Sequence, residues 1–174
     1  MTVDLTDGVV RLRTWRPDDA DDVFNACQDP LIAKFTPIPQ PYPREAAVGF
    51  IHEAILETEA GTSVHLAITD AVDGALLGAI SRHPIRGPRA TFGYWLAPAA
   101  RGRGAATRAL TLIADWTLET TDAIRLELYT NLDNEPSQRV AARAGFEREG
   151  IRRAWDLDRM GRPMDVVFFV KIRR

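Results

Sequence analysis

Apolar and polar positions divide this chain into short alternating runs and longer runs with helical spacing. Gly8 to Trp15 (GVVRLRTW) alternates in its second half and predicts a first strand. Pro17, followed by Asp18, Asp19, Asp21 and Asp22, marks a helix start, since proline and acidic residues suit the first turn. That helix runs through Val23, Phe24 and Ala26. The alternating prolines of TPIPQPYPR (Pro37, Pro39, Pro41, Pro43) block helix and central strand alike and predict an extended loop. In EAAVGFIHEAILETEA, Ala47, Phe50, Ile51, Ala54 and Ile55 share a helical face, and Gly61 is placed to end it. SVHLAITDAVDG and ALLGAISRHPIRG follow as two strands joined at Asp73-Gly74, with RATFGYWLAP as the next. A second long helix carries Ala106, Ala109, Leu110, Ile113 and Trp116 on one face. IRLELYT then predicts a strand. NEPSQRVAARAG predicts a short helix capped by Asn134, with Pro136 in its first turn and Gly145 past its end. The tail forms two strands joined around Met160, Gly161 and Arg162. The order β-α-α-β-β-β-α-β-α-β-β describes a mixed α/β fold with a largely antiparallel sheet, expected as one domain over residues 1–174.

Composition narrows the functions available. The 174 residues are 45% hydrophobic and 26% charged, ordinary values for a globular protein. A formal net charge of −2 provides no overall basic field for nucleic acid, so any anion site must be local. Cys27 is the single cysteine, which excludes an intrachain disulfide and a multi-cysteine zinc site; its setting suits a small buried side chain rather than a nucleophile. His52, His65 and His83 are scattered, and Leu56 stands where a zincin motif beginning at His52-Glu53 needs a second histidine. No metal is expected. The N-terminal stretch lacks a secretory pattern, and no segment approaches the roughly 20 apolar residues that span a bilayer. A cytoplasmic protein with no membrane partner is expected.

One junction carries chemistry. YWLAPAARGRGAATRAL passes from strand to helix through Arg101, Gly102, Arg103 and Gly104. A helix N-terminus offers unpaired N–H donors and partial positive charge, and glycines let a ligand approach the backbone. No Gly-Lys-Ser/Thr follows, and Thr107 stands where the dinucleotide fingerprint needs glycine, so neither phosphate motif is present. By itself the short Arg-x-x-Gly-x-Ala pattern of Arg101, Gly104 and Ala106 fits a solvated basic turn better than an anion cradle.

Taken with FGYWLAP before it, and with Asn134-Glu135-Pro136-Ser137 and Gly145-Phe146 after it, the junction resembles the GNAT superfamily of acetyl-CoA-dependent N-acetyltransferases. RLRTWRPDDADDVF near the start and EGIRRAWDLDRMGRPMDVVFF near the end resemble its Rim-type branch, which acetylates ribosomal-protein N-termini. The resemblance covers nearly the whole chain. It implies a twisted sheet of about seven strands, mostly antiparallel, with helices on both faces and the fourth and fifth strands splayed.

For the site, the resemblance implies that pantetheine pairs with the backbone near Leu96 and Ala97. It places the pyrophosphate on Arg101, Gly102, Arg103, Gly104, Ala105 and Ala106 with Thr107 close behind, and Asn134 on the pantetheine arm. Acetyl-CoA is then the co-substrate and a primary amine the acceptor: a protein N-terminus, or a small molecule such as an aminoglycoside, polyamine or amino acid. A homodimer is among the assemblies this allows.

Two departures from the family stand out. Ala141 occupies the position of the usual general-acid tyrosine, which leaves Ser137 as proton donor or thiolate partner, beside its plain role as a first-turn helix residue. Thr91 precedes Phe92 and Gly93 where the strand-four glutamate is expected; Asp133 and Asp156 are alternative bases, and Glu127 reads as the structural partner of an arginine. The proline-rich loop, the first two helices and the turn near Gly161 are expected to recognise the acceptor. The departures also leave open an idle acyl-CoA sensor, and Arg101, Arg103, Arg108, Arg152 and Arg153 a nucleic-acid module.

Overall fold

The structure, a computed structural model, describes residues 2–173. Strands β1 (Asp4–Thr6) and β2 (Val10–Thr14) form a hairpin. Helices α1 (Ala20–Ala26), α2 (Pro30–Phe35) and α3 (Arg44–Ala60) follow, then strands β3 (Val64–Asp70), β4 (Leu76–Arg82) and β5 (Arg89–Leu96). Helix α4 (Ala105–Thr120), strand β6 (Arg125–Asn131), helix α5 (Glu135–Arg143) and strands β7 (Glu147–Leu157) and β8 (Pro163–Ile172) complete it. The sheet order is β1-β2-β3-β4-β5-β6-β8-β7, antiparallel throughout except for the parallel β5–β6 pair.

Most predicted elements are present, including the left-handed Gly61 that ends α3 and the left-handed Gly145 after α5. The differences are one strand and one helix. The sheet has eight strands rather than seven because β1, three residues without an alternation signal, pairs with β2. Helix α2 is six residues long, too short for periodicity to reveal. Its local chemistry is nevertheless explicit: Asp29 caps it through bonds from the Leu31 and Ile32 N–H groups (2.6 and 3.2 Å), and Pro30 occupies its first turn.

Helices pack on both faces. Under α4 and α5, Leu12, Leu66, Ile80, Leu110, Ile113 and Leu126 are buried, each worth about 1.5–3 kcal/mol relative to exposure. On the opposite face α1 and α3 cover Trp15, Val23, Ile51, Ala67 and Ala79, with Trp15 and Phe50 edge to face at 5.3 Å. Asp19, amid the acidic run, is buried beside Arg13, its carboxylate taking two guanidinium bonds (2.7 and 2.8 Å) and the Arg16 N–H (2.8 Å). It fastens β2 to the start of α1.

The feature that positions the site is the parting of β5 and β6. They pair only at Arg89, Ala90 and Thr91 with Arg125, Leu126 and Glu127. Beyond Thr91, β5 stays with β4 as far as Leu96, while β6 stays with β8 as far as Asn131. Each therefore turns one unpaired edge toward the other. Gly78 of β4 allows the far end of β5 to come close: a Cβ there would lie 2.2 Å from the Trp95 carbonyl oxygen.

Candidate active site

The phosphate-loop candidate sits at the open end of this parting. β5 ends at Leu96, Pro98–Ala100 make one 3-10 turn, and α4 begins at Ala105. Gly102 (φ +75°) and Gly104 (φ +79°) both take left-handed conformations, so residues with side chains would strain the turn. The Arg108 N–H donates to Gly104 O at 3.1 Å and is the first amide of this junction to enter the helical ladder. Among the described residues, the N–H groups of Gly102, Arg103, Gly104, Ala105, Ala106 and Thr107 have no protein acceptor. Six successive donors at a helix N-terminus are a site for an anion. Ala100, Ala105 and Ala106 are buried, which lets the turn and first helical residues lie close on the sheet.

The arginines here divide by role. The Arg101 guanidinium donates to Asp29 (3.0 Å) and to the Leu96 carbonyl (3.1 Å), while its N–H serves Pro98 O (3.3 Å). Arg101 is therefore a brace between β5 and the α2 cap, and its expected contribution to phosphate narrows to the turn it holds. Arg108 pairs with Asp7 at 2.6 Å. Arg103 alone of the three is exposed with no ion-pair partner among the described residues.

Strand register identifies which backbone groups face the gap. The Ala97 N–H bonds Leu77 O and the His83 N–H bonds Thr91 O, both at 2.9 Å, so the odd-numbered residues of β5 exchange bonds with β4. Tyr94 and Leu96 point their backbone groups toward β6. Ala97 offers nothing there, since its carbonyl accepts the Ala100 N–H at 3.0 Å. Of the expected pair, Leu96 presents backbone groups toward β6 and Ala97 does not, while Tyr94 does.

Across the gap, Asn134 caps α5 by accepting the Ser137 N–H at 3.3 Å. The Ser137 hydroxyl lies 2.8 Å from the Tyr94 hydroxyl. Burial pushes the Tyr94 phenol up to about 12, against the opposing hydrogen bond from Ser137, so it stays protonated. Ala141 is fully buried in the core under α5. A phenol therefore does reach the start of α5, but from β5. The spacing within α5 could not reveal this; the sequence held only the tyrosine of FGYWLAP.

The alternative carboxylates are committed elsewhere. Glu127 is buried and accepts from Arg125 at 2.5 Å, the structural partnership expected. Arg125 also holds Glu149 at 2.6 Å. Asp133 pairs with Lys34 at 2.6 Å, and the Asp156 carboxylate accepts the Leu157 N–H at 2.9 Å. Cys27 is buried, and burial pushes its thiol up to about 11, as fits a structural cysteine. Among the described residues no group of three or more His, Cys, Asp or Glu is arranged to hold a metal ion, and no helix is long and apolar enough to cross a membrane.

Helix α2 joins the segments expected to meet the acceptor. Asp29 at its start holds Arg101, and Lys34 holds Asp133 after β6. Arg159 of the β7–β8 turn donates to the carbonyls of Ala33 (2.7 Å), Thr36 (3.1 Å) and Ile38 (2.7 Å). The proline-rich loop and the turn near Gly161 are thereby brought together. On β6, β7 and β8, Tyr129 stacks on Phe168 at 5.1 Å, with Trp155 edge-on to Phe168 at 5.2 Å and Arg152 lying over Phe168 at 3.9 Å.

A mixed sheet that parts beside a helix N-terminus is the architecture of the GNAT acetyltransferases. Residues 10–147 match the family described as acetyltransferase (GNAT) domain, and the chain belongs to that family. YjcK of Bacillus subtilis (strain 168), named a probable N-acetyltransferase, is 37% identical over 92 residues, 51% of this chain and 51% of YjcK. The chain thus spans about half the length of that curated relative. In fold it is similar to RimL, a ribosomal L7/L12 alpha-N-protein acetyltransferase solved with coenzyme A (TM-score 0.87, 20% identity, covering 99% and 98% of the two chains). It is also similar to Mycobacterium smegmatis RimJ, solved with a CoA-disulfide (TM-score 0.85, 22% identity, covering 98% and 86%).

Proposed function

We propose that residues 1–174 form one N-acetyltransferase domain that transfers acetyl from acetyl-CoA directly to a primary amine, with a protein or peptide N-terminus as acceptor. The observation that carries the first part is the row of six N–H groups from Gly102 to Thr107, opening onto the edge of β5. The residues fit the co-substrate: the N–H row and Arg103 suit a diphosphate, and the Tyr94 and Leu96 edge suits the amides of pantetheine. Asn134 lies on the far side of the gap, at the start of α5. Acetyl-CoA supplies the acetyl group as an activated thioester.

The chain's own groups then divide the work. Backbone donors orient the thioester, and the Tyr94–Ser137 couple holds a proton for the departing sulfur. An α-amine, with a reference pKa of about 7.7–8.0 against about 10.4 for lysine, reaches its neutral form roughly 3 kcal/mol more easily at neutral pH. The acceptor reading draws support from the RimL and RimJ likenesses and from the aromatic cluster of Tyr129 and Trp155 on β6 and β7, both substantially exposed. The arginines of a nucleic-acid reading do not make one basic face, because Arg101 and Arg108 sit in ion pairs and Arg152 is stacked on aromatics.

Incubation with acetyl-CoA and peptides bearing free or blocked N-termini tests the acceptor. Acetylation of free α-amines is expected. Modification confined to lysine side chains or non-peptide amines would refute the peptide acceptor, and tight acetyl-CoA binding without turnover on any amine would favour the sensor.

A further inference from the structure

We propose that His83 is the general base, its imidazole Nε2 receiving the proton that the acceptor amine loses. This rests on the acetyl-CoA reading of the gap. Three residues make a row across the sheet. The His83 N–H bonds Thr91 O at 2.9 Å, and Thr91 pairs with Glu127 in the last rung before β5 and β6 part. His83, Thr91 and Glu127 therefore stand in one row at the level where the gap begins, with their side chains on the α1–α3 face, and His83 is separated from the gap by the width of β5. In the next rung along β5 stands Gly93.

Gly93 explains why His83, the residue just past the end of β4, can serve the edge of β5. An ideal Cβ on Gly93 would sit 3.3 Å from the His83 Nε2, a tighter approach than ordinary van der Waals contact. The imidazole thus lies over the backbone of β5, in space that any other residue at position 93 would contest. Tyr94 and Leu96 present the backbone groups proposed for pantetheine, so a thioester bound there ends beside Gly93. The carboxylate missing from β5 is replaced by a ring reaching over from just past the end of β4. Among the alternatives, Glu127 is held by Arg125 and Asp133 by Lys34, whereas His83 is exposed on this face.

Desolvation more than charge favours a neutral ring. Desolvation lowers the His83 pKa from its ordinary value, His65 lowers it further, and Glu57 acts in the opposite direction. From β3, the His65 ring lies 6.4 Å away, its Nδ1 2.8 Å from Ser81 Oγ and its Nε2 2.9 Å from Glu57 Oε2 of α3. From β6, Glu127 is paired with Arg125, and β5 contributes no charge from Thr91, Gly93 or Trp95. A neutral imidazole accepts a proton at neutral pH. In the step, the amine nitrogen bonds the acetyl carbon and becomes acidic, and its proton passes to Nε2. The carbon–sulfur bond breaks, and the sulfur takes a proton from the Tyr94–Ser137 couple. Water then restores both groups.

The test compares wild type, His83→Gln and His83→Ala. Acetyl-CoA affinity by calorimetry should stay within about threefold of wild type, while kcat falls about 100-fold, within the usual range for a general base. Added imidazole should restore part of the turnover of His83→Ala. The acidic limb of the wild-type pH profile should lie below the free-histidine value and vanish in His83→Gln. NMR of the wild-type ring should show it titrating in the same range and shifting when acetyl-CoA is added. Turnover and pH profile matching wild type in both variants would overturn the proposal, as would a His83 signal that acetyl-CoA leaves unmoved. An equal loss of acetyl-CoA affinity and turnover, without imidazole rescue, would overturn it by making the role structural. A wild-type protein that binds no acetyl-CoA would instead overturn the reading on which this one rests.

Discussion

The hydroxyl of Tyr94, on β5, lies 2.8 Å from the hydroxyl of Ser137, in the first turn of α5. The two residues are 43 positions apart and stand on elements that border opposite sides of the gap. Their contact brings a protonated phenol to the start of α5, and under the proposed function the two hydroxyls share the proton that the departing sulfur takes.

Tyr94→Phe and Ser137→Ala should each lower kcat by about 10–100-fold while changing acetyl-CoA affinity by less than about threefold, because protonating the sulfur matters in the transition state. As members of one relay they should be non-additive: the double variant should be little worse than the weaker single one. Steady-state kinetics beside calorimetry reads both quantities. Fully additive losses would separate the two residues.

At the helix N-terminus, Gly104→Val should weaken acetyl-CoA binding about 10–100-fold, the equivalent of losing one or more charge-assisted bonds of about 1.5–3 kcal/mol. A Cβ at Gly104 meets no protein atom within 4 Å, so the substitution does not overpack the fold. It does place a branched side chain in a left-handed position (φ +79°), so circular dichroism must accompany the titration. An undiminished affinity in a folded variant would count against the cradle.

Gly78→Ala acts by a different route. A Cβ there would stand 2.2 Å from Trp95 O and 3.0 Å from the Leu96 Cα, both backbone atoms that cannot swing aside. Destabilisation of about 1–3 kcal/mol is expected from urea unfolding, typical of overpacking. Weaker acetyl-CoA binding should accompany it as the end of β5 is pushed outward. Wild-type stability would show that β5 yields freely.

Stability should also depend on Asp19. Burial alone would raise the pKa of this carboxyl, but the Arg13 and Arg16 hydrogen bonds and the Arg13 charge outweigh it and hold it below its ordinary value of 3.8. Its contribution is therefore present above that ordinary value and is lost as pH falls through the depressed one. Asp19→Ala should cost about 1–3 kcal/mol at neutral pH by taking from the half-buried Arg13 its charged partner. The difference from wild type should shrink below about pH 4. A pH-independent difference would assign the loss to packing.

Much of this architecture is local and was legible in the chain. Gly61, Asn134 and Gly145 mark helix ends through backbone conformation and capping, which depend on only a few neighbouring residues. The turn from Arg101 to Gly104 was legible for the same reason: left-handed glycines and unpaired N–H groups belong to the junction itself. Helix α2 was missed even though Asp29-Pro30 announced its start, because six residues carry too little periodicity to stand out.

What the sequence alone determined, then, was the order of most elements, the family and the glycine-bearing strand-to-helix junction, each specified by local chemistry in the right succession. Tertiary structure alone decided that Arg101 braces Asp29 and Leu96, that Tyr94 and not Ala97 faces the gap, and that Tyr94 meets Ser137. It also laid His83 over Gly93. The physical reason is that these relations depend on strand register and on how the sheet parts. A one-residue slip in β5 would exchange every inward and outward group, and no short stretch of sequence records which way the strand has turned.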